Sequence, residues 1–114
     1  MKIILPWFPA ELTPNNKNGR RWTSTSKIKK KYREDCRLCA LGNKIEHDNN
    51  IPLSIVFHPP NRRMDLDNCL ASIKAGIDGV ADALGVNDKR FRPITIDFAE
   101  PNKNNPHIEI TPSD

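Results

Sequence analysis

No run of apolar residues in the 114-residue chain is long enough to cross a bilayer. The opening "MKIILPWFPAEL" meets two prolines and an acid before any adequate apolar run, so nothing resembles a signal peptide. A soluble, cytoplasmic protein is expected, with no membrane partner. Cysteine is scarce, and three thiols, an odd number, argue against a disulfide framework and agree with a reducing compartment. The three histidines, His47, His58 and His107, are scattered without ligand spacing and read as ordinary strand and loop positions. No repeat is visible. Acids are missing altogether between Glu11 and Glu34, where eight cations stand: Lys17, Arg20, Arg21, Lys27, Lys29, Lys30, Lys31 and Arg33.

That one-sided segment is half of a wider asymmetry. Residues 1–63 hold 13 Lys and Arg against 5 acids and residues 64–114 hold 5 against 9, balances of +8 and −4 that combine to the net +4. A basic stretch of this kind suits a polyanion such as nucleic acid, or else a solvated helix face. Length fits one domain over residues 1–114, burying roughly two-thirds of the surface of the unfolded chain.

Hydrophobic spacing predicts a β-α-β-α-β-β order. "KIILPWF" (2–8) reads as a strand that Pro6 confines to an edge or an end. Ile28, Tyr32, Cys36 and Cys39 recur at helical spacing over 27–41, with Ser24 or Ser26 as cap and Gly42 as stop. "IPLSIVFHP" (51–59) is β-branched and aromatic. Leu66, Leu70, Ile73, Ile77, Val80 and Leu84 draw an apolar stripe along a second helix that Gly85 ends. "ITIDF" (94–98) and "HIEIT" (107–111) close the chain as strands, joined by "AEPNKNNP", which has hairpin character. The expected class is α+β: a small, mostly antiparallel or mixed sheet with two helices packed on it.

Chemistry concentrates in "NRRMDLDNCL" (61–70). Asp67 is well placed to cap the second helix, whereas capping gives no reason for Asp65. Two carboxylates beside Arg62 and Arg63 suit a hard divalent cation and the phosphate it brings. An EF-hand is excluded, because Leu70 and Gly76 stand where its glycine and bidentate glutamate belong. "GVNDKRF" (85–91) supplies a third acid, Asp88, for which turn chemistry is the plain alternative. Lys74 lies two helical turns after Asp67, facing the same way; its plain alternative is an ion pair with Asp78 at i+4. "CRLC" (36–39) lacks a second pair and reads as core packing on the first helix. Cys69 reads as helix filler. Trp7 reads as core, and Trp22, amid "GRRWTSTS", as a candidate to stack on a base.

"RRMDLDN", then Lys74 and Asp78 in "KAGID", then "ALGVNDKRF", resembles the RusA family of Holliday junction resolvases, and "LPWFP" and "KKKYRE" resemble its amino-terminal half. The resemblance implies a RusA-like fold and a homodimeric endonuclease of bacteria and their prophages, acting on four-way DNA junctions in recombination and repair. It implies a magnesium cofactor, with manganese as substitute, and no small-molecule cofactor. By position, the family's metal-binding acids fall on Asp65, Asp67 and Asp88, and its catalytic lysine on Lys74. The DNA contacts would come from Lys17, Arg20, Arg21, Trp22, Lys27, Lys29, Lys30, Lys31, Arg62, Arg63 and Lys89. Two departures stand out: the family's lysine commonly lies nearer its second aspartate, and its acid pair appears here as Asn87-Asp88. The alternatives are a nucleic-acid-binding protein without catalysis on the same fold, with the acids as caps and turns, and a phage-encoded interaction protein.

Overall fold

A computed structural model describes residues 1–12 and 22–113, with the side chains of residues 22–25 outside the description. Two helices lie on one face of a four-stranded mixed sheet, an α+β domain of the expected kind. Strands β1 (Ile3–Pro6), β2 (Ile51–His58), β3 (Phe91–Phe98) and β4 (His107–Pro112) take the spatial order β1-β4-β2-β3. β4 runs antiparallel to both neighbours, and β2 and β3 are parallel. Helices α1 (Trp22–Ala40) and α2 (Leu66–Leu84) each have 19 residues. No described helix is long and apolar enough to cross a membrane.

Period-two alternation builds the sheet. Ile51, Leu53, Ile55 and Phe57 of β2, Ile108 and Ile110 of β4, and Ile3 and Leu5 of β1 are all buried on the helix side. Pro6 ends β1, an edge strand, where its missing N–H costs least.

The hairpin expected between the last two strands does not form. β3 pairs with β2, and the connection 99–106 crosses the end of β2 to place β4 between β1 and β2. Backbone bonds from Ala99 to Phe57 (2.9 Å) and from Asn102 to Pro59 (2.7 Å) tie that crossing down. β4 makes antiparallel bonds on both sides this way, which a terminal hairpin would leave open on one. Ile94, Ile96 and Phe98 do face the helix side, in register with Leu53, Ile55 and Phe57, yet Ile94 and Phe98 stay exposed at the β3 edge.

Helix boundaries shift from expectation. α1 starts at Trp22, so Ser24 and Ser26 lie inside it and do not cap it. α2 starts at Leu66, so Asp65 takes the cap position and Asp67 falls in the first turn. Its buried face runs through Cys69, Ser72, Ile73, Gly76, Gly79, Val80 and Leu84, while Leu66 and Leu70 are exposed. The helix is rotated toward its small residues because α1 packs there. A β-carbon on Gly79 would come within 2.2 Å of the Arg33 carbonyl oxygen, and one on Gly76 within 3.0 Å of the Tyr32 ring. Gly85 ends α2 in the left-handed region (φ 70°), as expected.

Tyr32 donates its hydroxyl to the Pro6 carbonyl (2.7 Å), pinning α1 to β1. Cys36 and Cys69 are buried, and burial pushes their thiols up to about 12 and about 11. Cys39 is exposed and not part of the core, contrary to its place on the helical stripe. Trp7 packs against the core beside Phe57.

Candidate functional site

Close packing of α1 on α2 leaves a groove of about 340 Å³ along their seam. Its charged lining is Lys29, Lys30 and Arg33 from α1 with Lys74 and Asp78 from α2. Lys74 and Arg33 are paired with carboxylates, so Lys29 and Lys30 give the groove its positive charge, suited to phosphate. A smaller hollow of about 180 Å³ continues past the end of α2, where Asp78, Asp82 and Asp88 gather around Arg33.

Lys74 stands between these two regions. Its ammonium donates to Asp78 Oδ1 at 2.6 Å, the i+4 pair anticipated from spacing, and also to Asp88 Oδ2. Partial burial pulls the Lys74 pKa down, but the hydrogen bonds to Asp78 and Asp88 outweigh it, so the net shift is upward. The same bond holds Asp88 below the usual carboxylate range. Turn chemistry at Asp88 is handled by its neighbour: Asn87 Oδ1 accepts the Lys89 N–H at 2.9 Å, which leaves the Asp88 carboxylate for Lys74. Arg33 forks onto Asp82, Nε to Oδ2 at 2.7 Å and Nη2 to Oδ1 at 2.9 Å, which holds Asp82 below its ordinary value.

The three acids that the RusA resemblance selects do not share one shell. Asp65 and Asp67 sit at the start of α2, while Asp88 lies with Lys74 and Asp78; residues 67 and 78 are separated by about 16 Å of helix axis. Among the described residues no group of three acids containing them converges within metal-binding reach. Magnesium keeps several waters and needs only one or two protein carboxylates, so an Asp65–Asp67 pair suffices in number. Asp65 is suited to that use, because it caps α2 by backbone position without a side-chain cap bond. Asp88 does not fit the same ion within one chain.

The proposed DNA contacts divide. Lys17, Arg20 and Arg21 lie outside the described residues, as does the side chain of Trp22 at the head of α1. Lys29 and Lys30 line the groove, whereas Lys31 turns away to bond Asp35 at 2.9 Å. Lys27, Arg63 and Lys89 are exposed away from the groove lining, and Arg62 pairs with Glu100 at 2.7 Å. Sequence reasoning missed Asp82 and Arg33 as partners. The available signal was Asp78 and Asp82 one turn apart on the helix bearing Lys74.

No protein-family model matches the sequence. The chain is similar to an uncharacterized protein of Xylella fastidiosa, 38% identical over 95 residues that cover 78% of this chain. The match spans 61% of that relative's length, so the relative extends well beyond the shared region.

Proposed function

We propose that the chain is a metal-dependent, structure-selective endonuclease of four-way DNA junctions, working as a homodimer in a bacterial or phage-infected cell. The observation that carries this reading is the groove, in which Lys29, Lys30, Arg33 and Lys74 lie next to the carboxylates Asp78 and Asp88. Cations that neutralise a phosphate backbone and acids that hold a divalent ion are what metal-dependent phosphodiester hydrolysis uses. Here the cations line the seam between α1 and α2, and the acids proposed for the ion, Asp65 and Asp67, stand at the start of α2. Lys29 and Lys30 would hold the backbone, and Lys74 would add positive charge at the phosphate under attack. A magnesium ion at Asp65 and Asp67 would polarise the phosphodiester and lower the pKa of a bound water. A C2 dimer would present two equal sites to the matching strands of a symmetric junction.

The test is a synthetic four-way junction incubated with the purified chain and magnesium, with and without a chelator. Paired nicks that stop on chelation are expected, and Asp65→Asn or Asp67→Asn should abolish them while junction binding persists. No cleavage under any divalent metal would sink the enzyme reading. Binding without cleavage is the second reading, and one observation favours it: Asp88 is committed to Lys74 and stands apart from Asp65 and Asp67. Normal cleavage by Asp88→Asn would agree with an ion held by Asp65 and Asp67 without Asp88 and leave the enzyme reading intact.

A further inference from the structure

His58, His107 and Glu109 meet on the helix-free face of the sheet, although nothing in their sequence spacing joins them. His58 lies directly across from His107 in the antiparallel β2–β4 register, and Glu109 follows His107 by two residues on the same face. The two imidazoles stack with centroids 4.1 Å apart and planes 10° from parallel. Glu109 Oε1 lies 3.4 Å from His58 Nε2 and 3.8 Å from His107 Nε2. All three ligand atoms fall within 4.8 Å of one another, which no other group of three His, Cys, Asp or Glu among the described residues achieves.

Two further features point to a metal. His107 Nδ1 lies 2.8 Å from the Asn105 carbonyl, which can only accept, so Nδ1 is the donor there and Nε2, on the Glu109 side, is the nitrogen left to ligate a metal. His58 Nε2 is buried and makes no hydrogen bond, with Glu109 Oε1 3.4 Å away, as a nitrogen placed to share a metal ion with that carboxylate would be. Ligands bound at zinc's usual 2.0–2.1 Å in tetrahedral geometry are about 3.3 Å apart, close to the carboxylate–imidazole distances of 3.4 and 3.8 Å, and the two stacked rings, 10° from parallel, must tilt toward each other for both Nε2 lone pairs to meet at one ion. Two imidazoles and one carboxylate favour a borderline metal such as zinc over magnesium. We propose that His58, His107 and Glu109 form a zinc-class metal site, with a fourth position open to water, on the opposite face of the sheet from the α1–α2 groove. Lys2 Nζ, 3.4 Å from Glu109 Oε1, supplies the cation that balances the carboxylate until the metal displaces it.

The experiment is calorimetric titration of the chelator-stripped full chain with Zn2+, paralleled by the visible spectrum of the Co2+ form. One equivalent should bind, with a four-coordinate Co2+ spectrum lacking a thiolate charge-transfer band. His58→Ala, His107→Ala and Glu109→Gln should each weaken binding by at least about tenfold. Lys2→Met leaves every ligand in place and should bind zinc roughly two- to fivefold more tightly, a result that does not depend on the ligand variants folding. Asp65→Asn should bind zinc like the wild type, which separates this site from the one proposed for magnesium. Absence of stoichiometric binding by the wild type would overturn the site. So would binding that survives loss of both histidines, or that is lost with Asp65→Asn or Cys39→Ser.

Discussion

Lys74 shows how one side chain can satisfy a bland expectation and a sharp one together. It forms the i+4 pair with Asp78 that any helix surface would offer, and it also reaches Asp88 from the turn beyond α2. Removing it takes away the cation bonded to both carboxylates and leaves Arg33, whose hydrogen bonds go to Asp82, so Lys74→Ala should raise the Asp88 pKa toward the ordinary value. Carboxyl NMR titration of Asp88 would read this, and an unchanged pKa would show that the ion pair is not populated in solution. If Lys74 also stabilises charge on a phosphate under attack, the same variant should slow single-turnover junction cleavage by about 100-fold, and Lys74→Arg should recover little of that. A rate within about threefold of wild type would confine Lys74 to the structural pair. Asp82 carries a pH consequence. Its folded pKa lies below the ordinary 3.8 because Arg33 binds it, so the pair stabilises the fold above that value and stops doing so as pH falls through the folded pKa. Asp82→Asn should therefore flatten the acid limb of the stability curve below about pH 4, by under about 1 kcal/mol because both groups are partly exposed.

At the scale of elements, the contact between α1 and α2 depends on Gly79 more than on any ion pair. A β-carbon there meets backbone that cannot rotate away, so Gly79→Ala should cost about 1–3 kcal/mol despite alanine's better helix propensity. Gly76→Ala meets the edges of side chains and should cost less; chemical denaturation midpoints would show the order, and an equal effect at both would refute backbone contact as the cause. Element identity was legible from residue pattern: the β2 alternation, the α2 helix and the Gly85 stop stand where spacing puts them, while the α2 stripe is buried only in part, with Leu66 and Leu70 exposed. Strand partners were not. Hydrophobic alternation in "HIEIT" is the same whether β4 pairs with β3 or inserts between β1 and β2, and the short polar connection favoured the hairpin. That one ambiguity hid His58 and His107 from each other, because only the β2–β4 register brings them together. The cap of α2 was misplaced by two residues for a smaller reason: Asp65 and Asp67 are both suitable caps, and Asp65 caps without using its side chain. The Asp65–Asp67–Asp88 grouping rested on the RusA resemblance, and helix length, which spacing already contained, argues against one chain supplying all three to one ion.

For the whole molecule, the sequence's charge asymmetry becomes a spatial one. The basic amino-terminal half delivers Lys29, Lys30 and Arg33 through α1, and the acidic carboxy-terminal half delivers Asp78, Asp82 and Asp88 around the end of α2, so the groove has a basic floor and an acidic end. A polyanion should enter at the basic part and stop short of the acids. If the groove is the DNA path, each lysine bound to a phosphate contributes about 0.9 to the slope of log K against log salt, through release of condensed counterions. Lys29 and Lys30 line the groove, whereas Lys31, next in the chain, is turned toward Asp35. Lys29→Ala with Lys30→Ala should therefore lower the slope by about 1.8 for any DNA sequence, and Lys31→Ala should leave it nearly unchanged. Fluorescence anisotropy with a junction and a duplex across a salt series distinguishes the two. Equal slope losses for all three lysines would mean that the basic segment acts as a diffuse charged surface. Unchanged slopes for the double variant would place the DNA elsewhere on the molecule, and the proposed function would lose the observation that carries it.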